Sequence, residues 1–225
     1  MIGLIIKDFT IQKKALIKYF IASLLFMFVF AFALEQQVLM ALAMFPVIYG
    51  YINRSLYEDE KNNTLRLLLS LPLEKNDIVF AKYISTGIMI TVITIIFSVY
   101  SKLLVLNGIW HADNMVASTT IATMILIFVI LISTYLPFVY KLGYIRASGI
   151  YRFIFMVIFA LAISFSVIAQ KMFDSWDIPL VIKAMKFLML LSPVYLNAII
   201  FIFIILIYLI SMKLSSILFN KRNLF

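Results

Sequence analysis

The sequence predicts an all-α membrane protein with six transmembrane helices, on three observations. Of its 225 residues 65% are hydrophobic and 13% charged, whereas a water-soluble domain runs near half apolar and a quarter charged. Six apolar stretches, at about 19–34, 38–53, 83–106, 118–140, 153–170 and 191–212, have or approach the length of about 20 residues that crosses a hydrocarbon core. Lys and Arg sort onto one side of these stretches, 15 of 19 lying in the even-numbered connections and the two tails. Six spans leave space for a single transmembrane domain over 1–225 and for no second folded domain.

Residues 1–18 precede the first span and are themselves amphipathic. Ile2, Ile5, Ile6, Phe9 and Leu16 share one helical face, while Lys7, Asp8, Lys14 and Lys18 lie elsewhere. This pattern predicts a helix lying in the membrane interface. Ala31, Phe32 and Ala33 resemble a cleavage site, but the long amphipathic lead favours an uncleaved first span. The first two spans share the turn Glu35, Gln36, Gln37, which fits a tight helical hairpin. Pro46 in span two and Pro137 in span four each remove one helical hydrogen bond, which a neighbouring helix must re-satisfy. Ser192 and Pro193 read as the cap and first position of span six.

The connection over 54–82 is long for a link between helices. Glu58, Asp59 and Glu60 suit the first turn of a helix and Pro72 its end, so a short helix from about Glu58 to Ser70 is expected, and a second from Asn76 or Asp77 into span three. Leu65, Leu68 and Leu69 share one face of the first, with Leu71 just beyond. That apolar surface meets either the membrane or another protein. Between spans five and six, residues 171–191 begin polar with Asp174, Trp176 and Asp177. They then become amphipathic, with Val181, Ile182, Met185, Leu188 and Met189 opposite Lys183 and Lys186, which predicts short helices dipping into the outer leaflet.

The charge sorting places both termini in the cytoplasm and the protein in the cell membrane as a multi-pass chain. It also accounts for the net charge of +9 as topology and attraction to anionic lipid, with no nucleic-acid partner. Zero cysteines exclude thiolate catalysis and cysteine-ligated zinc, and one histidine, His111, leaves no histidine metal cage. Gly143 and Gly149 lack the spacing and the trailing Lys of a phosphate-binding loop. No carboxylate sits at mid-span, so proton- or sodium-driven transport has no visible relay. The chain has no catalytic motif, and a transport role needs energy from outside it.

The wording of the long loop carries a resemblance. Tyr57-Glu58-Asp59-Glu60-Lys61 is followed by Leu67-Leu68-Leu69-Ser70-Leu71-Pro72-Leu73, then by Asp77-Ile78-Val79 and Ala81-Lys82-Tyr83, with Lys7-Asp8-Phe9 and Gln12-Lys13-Lys14 near the start. These segments and the layout of spans resemble the permease subunits of ATP-binding-cassette type 2 exporters, in the small bacterial branch that includes the phenol-soluble-modulin exporter permeases. Asn63-Thr64 stands where that family often has Gly-Thr. The resemblance implies that the loop helix is a coupling helix seated in a groove of a cytoplasmic ATPase subunit, a role falling on Glu58, Asp59, Glu60, Lys61, Leu65, Leu68, Leu69, Leu71 and Pro72. It further implies that ATP and Mg are bound by that partner and that this chain itself needs no cofactor.

The function so predicted is the permease half of an ATP-driven bacterial exporter, paired with a second permease chain, since six helices alone enclose little of a pathway. The richness in Phe, Met and Tyr (21, 12 and 12 residues) suits an amphipathic or hydrophobic cargo, such as a peptide toxin or antimicrobial peptide. The alternatives are a lipid or small-drug efflux permease, or a non-transporting immunity or scaffold protein. Cargo, ATPase identity and homodimer against heterodimer do not follow from the residues.

Overall fold

The computed structural model describes residues 2–30, 36–62, 64–70, 74–109, 118–154 and 193–222. Every regular element among them is an α-helix. They are α1 (Ile2–Val29), α2 (Gln36–Lys61), α3 (Thr64–Ser70), α4 (Lys75–Leu106), α5 (Ser118–Leu142) and α6 (Pro193–Lys221), with a further helical run over residues 144–154. Three segments, Lys75–Leu106, Thr120–Leu142 and Val194–Lys221, are long and apolar enough to cross a membrane, and they match expected spans three, four and six. The turn at Glu35, span five beyond residue 154, the outer segment 171–191, and Leu71 with Pro72 lie outside the described residues.

Two expected boundaries are absent. No break separates residues 1–18 from span one, because nothing in Lys18–Tyr19–Phe20 disfavours helix and α1 runs through it. Its buried side carries Asp8 and Gln12, while Ile2 and Ile6 of the apolar face are exposed. Likewise α2 runs past residue 53 to Lys61, so Glu58, Asp59 and Glu60 close α2 instead of opening a loop helix. The expected helix over 58–70 is thereby divided, and only Thr64–Ser70 forms α3.

Helix α4 is central, touching α1, α2, α5 and α6. One face presents Ile84, Ile88, Val92, Ile95 and Val99 outward, and the other buries Tyr83, Ile90, Ile93 and Phe97. Interleaved on the buried face are Thr86, Thr94 and Ser98, whose hydroxyls donate back to the carbonyls of Lys82 at 2.7 Å, Ile90 at 2.8 Å and Thr94 at 2.7 Å. Each small hydroxyl is thus satisfied inside its own helix, and its size lets neighbouring backbones approach.

Helix α6 is fixed by hydroxyls at its C-terminal half. Pro137 has no N–H to give the carbonyl of Ser133, and the Ser211 hydroxyl of α6 donates to that carbonyl at 2.6 Å. Tyr83 Oη lies 2.6 Å from Ser211 Oγ and 2.7 Å from Ser215 Oγ, and the Tyr208 hydroxyl donates to the Tyr83 carbonyl at 2.6 Å. Ser216 and Asn220 reach Asn76 at the start of α4.

Gly143 ends α5 at φ +87, the left-handed conformation common just past a helix C-terminus. It sits where three helix ends meet, since an added Cβ would lie 2.8 Å from Arg222 Nη2 and 3.4 Å from Glu60 Oε1. Gly143→Ala therefore combines backbone strain with a clash, and we expect a loss of about 1–3 kcal/mol. Gly3→Ala, in a helix with nothing within 4 Å, is expected to be neutral or slightly stabilising. Thermal unfolding of the two variants in detergent tests the contrast, and equal melting temperatures would contradict it.

Candidate functional site

The loop residues singled out by sequence meet two different fates, set by the helical repeat of the last turn of α2. Glu58 faces outward and stands 3.8 Å from Arg54, one turn earlier. Its carboxylate also accepts from the Asn62 side-chain amide at 3.3 Å. Glu60 turns toward the run 144–154 and accepts the backbone N–H of Tyr144 at 2.5 Å and of Ile145 at 3.3 Å. A carboxylate there satisfies amides that a helix start leaves open and complements its dipole. Lys61 lies over the Tyr57 ring at 5.7 Å.

Asp59 points inward. Its Oδ2 lies 2.7 Å from Lys82 Nζ of α4, and its Oδ1 lies 2.6 Å from Lys7 Nζ of α1. Lys82 reaches Asp8 of α1 at 2.9 Å and donates to the Ser55 hydroxyl oxygen of α2 at 2.5 Å. Ser85, one turn beyond Lys82, donates to Asp8 at 3.2 Å. Asp8, Asp59 and Lys82 are only 4%, 6% and 5% exposed. Two lysines and two aspartates thus form a closed, neutral group joining α1, α2 and α4. Burial opposes ionisation of the Asp59 carboxyl, but Lys82 and Lys7 outweigh it and hold the group below its ordinary value of 3.8.

Of the leucines, Leu68 is buried at 6% exposure within the chain's own core, and Leu67 is 63% exposed. Leu65 and Leu69 fall within the backbone of α3. The loop helix is therefore tied to α2, and α2 to α1 and α4 through Asp59.

A family model described as ABC-2 family transporter protein matches residues 3–220 of the chain. The chain belongs to the ABC-2 transporter family. Members are membrane components of ATP-binding-cassette transporters, not themselves catalytic, and they normally work with a cytoplasmic ATPase subunit. The protein is accordingly an integral-membrane ABC-2 permease. No curated protein and no solved structure gives a significant match.

Within the permease a cavity of about 840 Å³ opens between α4, α5 and α6, lined mainly by apolar side chains such as Ile88, Ile125, Val129, Phe201 and Ile205, with Thr91 and Tyr208 as polar points. Sequence reasoning missed the buried charge group, although one signal was present: Asp8 is the only acid before Glu35 and stands in an otherwise basic segment. It also overlooked the Ser/Thr stripe of α4.

Removing Lys82 leaves two buried carboxylates facing one lysine, and breaking a buried ion pair costs about 3–5 kcal/mol. Lys82→Met should therefore lower the melting temperature of the purified permease sharply, and an unchanged value would show that the cluster contributes nothing. Because the folded Asp59 is more acidic than in the unfolded chain, its contribution is complete above 3.8 and is lost as the pH falls through the lower, folded value. Asp59→Asn should flatten that acid limb in a melting-temperature series against pH.

Proposed function

We propose that this permease is half of an ATP-driven exporter, in which α3 and the last turn of α2 form the coupling element on the ATPase. The observation that carries this reading is the pairing of an exposed apolar residue with a rigid route inward. Leu67 is presented outward on α3, while Asp59, eight positions earlier, is locked to Lys82 of α4 and Lys7 of α1. A displacement of α3 is thereby delivered to three helices at once. Leu65, Leu68, Leu69, Leu71 and Pro72 complete this element, with Glu58, Glu60 and Lys61 at its margin. Leu68 serves by fastening α3 to the chain's own core.

The end of the bundle bearing Lys7, Arg54, Lys61, Lys82, Arg152 and Arg222 is the cytoplasmic one, following the usual retention of positive charge on that side. A second permease chain completes the pathway, and each chain docks one ATPase. The apolar cavity between α4, α5 and α6 supports an amphipathic or hydrophobic cargo, with a peptide first, in keeping with the phenol-soluble-modulin branch that the loop wording resembles.

Leu67→Asp places an unpaired charge in the contact while leaving the buried cluster intact, and desolvating such a charge costs several kcal/mol. The variant should insert and melt like the wild type but lose co-purification of its ATPase and export activity. Leu68→Asp should instead lower the melting temperature. Normal ATPase association by a well-folded Leu67→Asp permease would overturn the coupling role.

A further inference from the structure

A second cavity, of about 450 Å³, lies between α1, α2 and the run 144–154, away from the apolar one. Its walls are aromatic. Tyr19 of α1 lies so close to Gly50 of α2 that a Cβ there would meet its ring at 3.0 Å. Phe45 and Tyr49 stack at 5.2 Å with 11° between their planes, and Tyr57 meets Tyr144 edge-on at 6.0 Å. The side chain of Asn53 is already committed, accepting from the Tyr135 hydroxyl at 2.7 Å and donating to the Tyr49 carbonyl at 3.1 Å.

Two guanidiniums, Arg54 and Arg152, line the same cleft, and no carboxylate does so among the described residues. Glu60 is engaged by the Tyr144 and Ile145 amides, and Glu58 reaches Arg54 only at 3.8 Å. The Arg54 side chain is 45% exposed, and Arg152 is exposed. The cleft is thus electropositive at one end and apolar along its length. From Pro46 to Arg54 the helix rises about 12 Å, enough to span a headgroup and the first part of an acyl chain.

We propose that this cleft binds one anionic phospholipid from the leaflet at the basic end of the bundle, with its phosphate between Arg54 and Arg152 and its acyl chain along Tyr19, Phe45 and Tyr49. The planar fork of arginine matches a phosphate with two parallel hydrogen bonds. Tyrosines with an apolar body and a polar tip suit the boundary between headgroups and hydrocarbon. A small soluble anion would use the guanidiniums but leave the aromatic wall without a partner. A neutral lipid would use the wall but not the charge.

The test uses the full-length permease reconstituted in nanodiscs of mixed phosphatidylglycerol and phosphatidylcholine, with retained lipid counted by native mass spectrometry. The wild type should retain phosphatidylglycerol selectively. Arg54→Gln with Arg152→Gln should reduce that retention about ten-fold or more, as expected for two basic residues at a membrane surface. Arg54→Lys with Arg152→Lys should keep an intermediate level, and the melting temperature should not move. If the double glutamine variant fails to fold, Arg152→Gln alone, at an exposed position, should lower retention about five-fold. Equal retention of the two lipids by the wild type, or undiminished phosphatidylglycerol in the folded glutamine variants, would overturn the proposal. So would saturable binding of an acidic amphipathic peptide that depends on both arginines in a protein with no lipid preference, which would assign the cleft to a peptide.

Discussion

The arrangement of the first four helices depends on a charge constraint: Asp8, Asp59 and Lys82 are buried and therefore must meet. An ionised side chain removed from water is tolerable only with its partners in place, and here each group contacts at least one of opposite sign, with Lys7, Ser55 and Ser85 filling the remaining positions. Turning α1 by one residue, about 100° of helix rotation, would carry Asp8 off Lys82. The ion group consequently sets the rotation of α1 against α4 and of α2 against both. Apolar contacts in lipid cannot do this as sharply, because lipid tails solvate a leucine face as well as another helix does.

The same reasoning extends to the far side of α4. Tyr83, Tyr208, Ser211 and Ser215 exchange hydrogen bonds across α4 and α6, and Ser211 also supplies the donor that Pro137 withholds from Ser133. Polar pins therefore join α4 to its neighbours on two sides, ionic toward α1 and α2 and hydroxylic toward α6, which in turn pins α5. Between them the surface is Ile, Val and Phe, which fill space without dictating angle.

Much of this was legible in the sequence, because it follows from hydropathy and local chemistry. The spans realised as α4, α5 and α6 were evident from uncharged length, the start of α6 from Ser192-Pro193, and the need for an outside donor near Pro137 from the missing N–H. What was not legible depends on partners far apart in the chain. Asp59 read as one of three acids opening a helix, and only the turn on which α2 ends separates it from Glu58 and Glu60. Leu68 read as one of several leucines on a shared face, yet it is buried while Leu67 next to it is exposed. Asp8 read as part of a polar surface, since the lysine it requires stands 74 positions later.

That separation has a consequence for biogenesis. Translation delivers Asp8 first, Asp59 next and Lys82 last. A nascent chain that has emerged only as far as α3 therefore carries both carboxylates with Lys7 as the sole cation of the eventual quartet. The initial hairpin has no complete electrostatic reason to settle until the following segment leaves the ribosome. On that order of synthesis, the rotation of the N-terminal pair is fully specified only once α4 has been made.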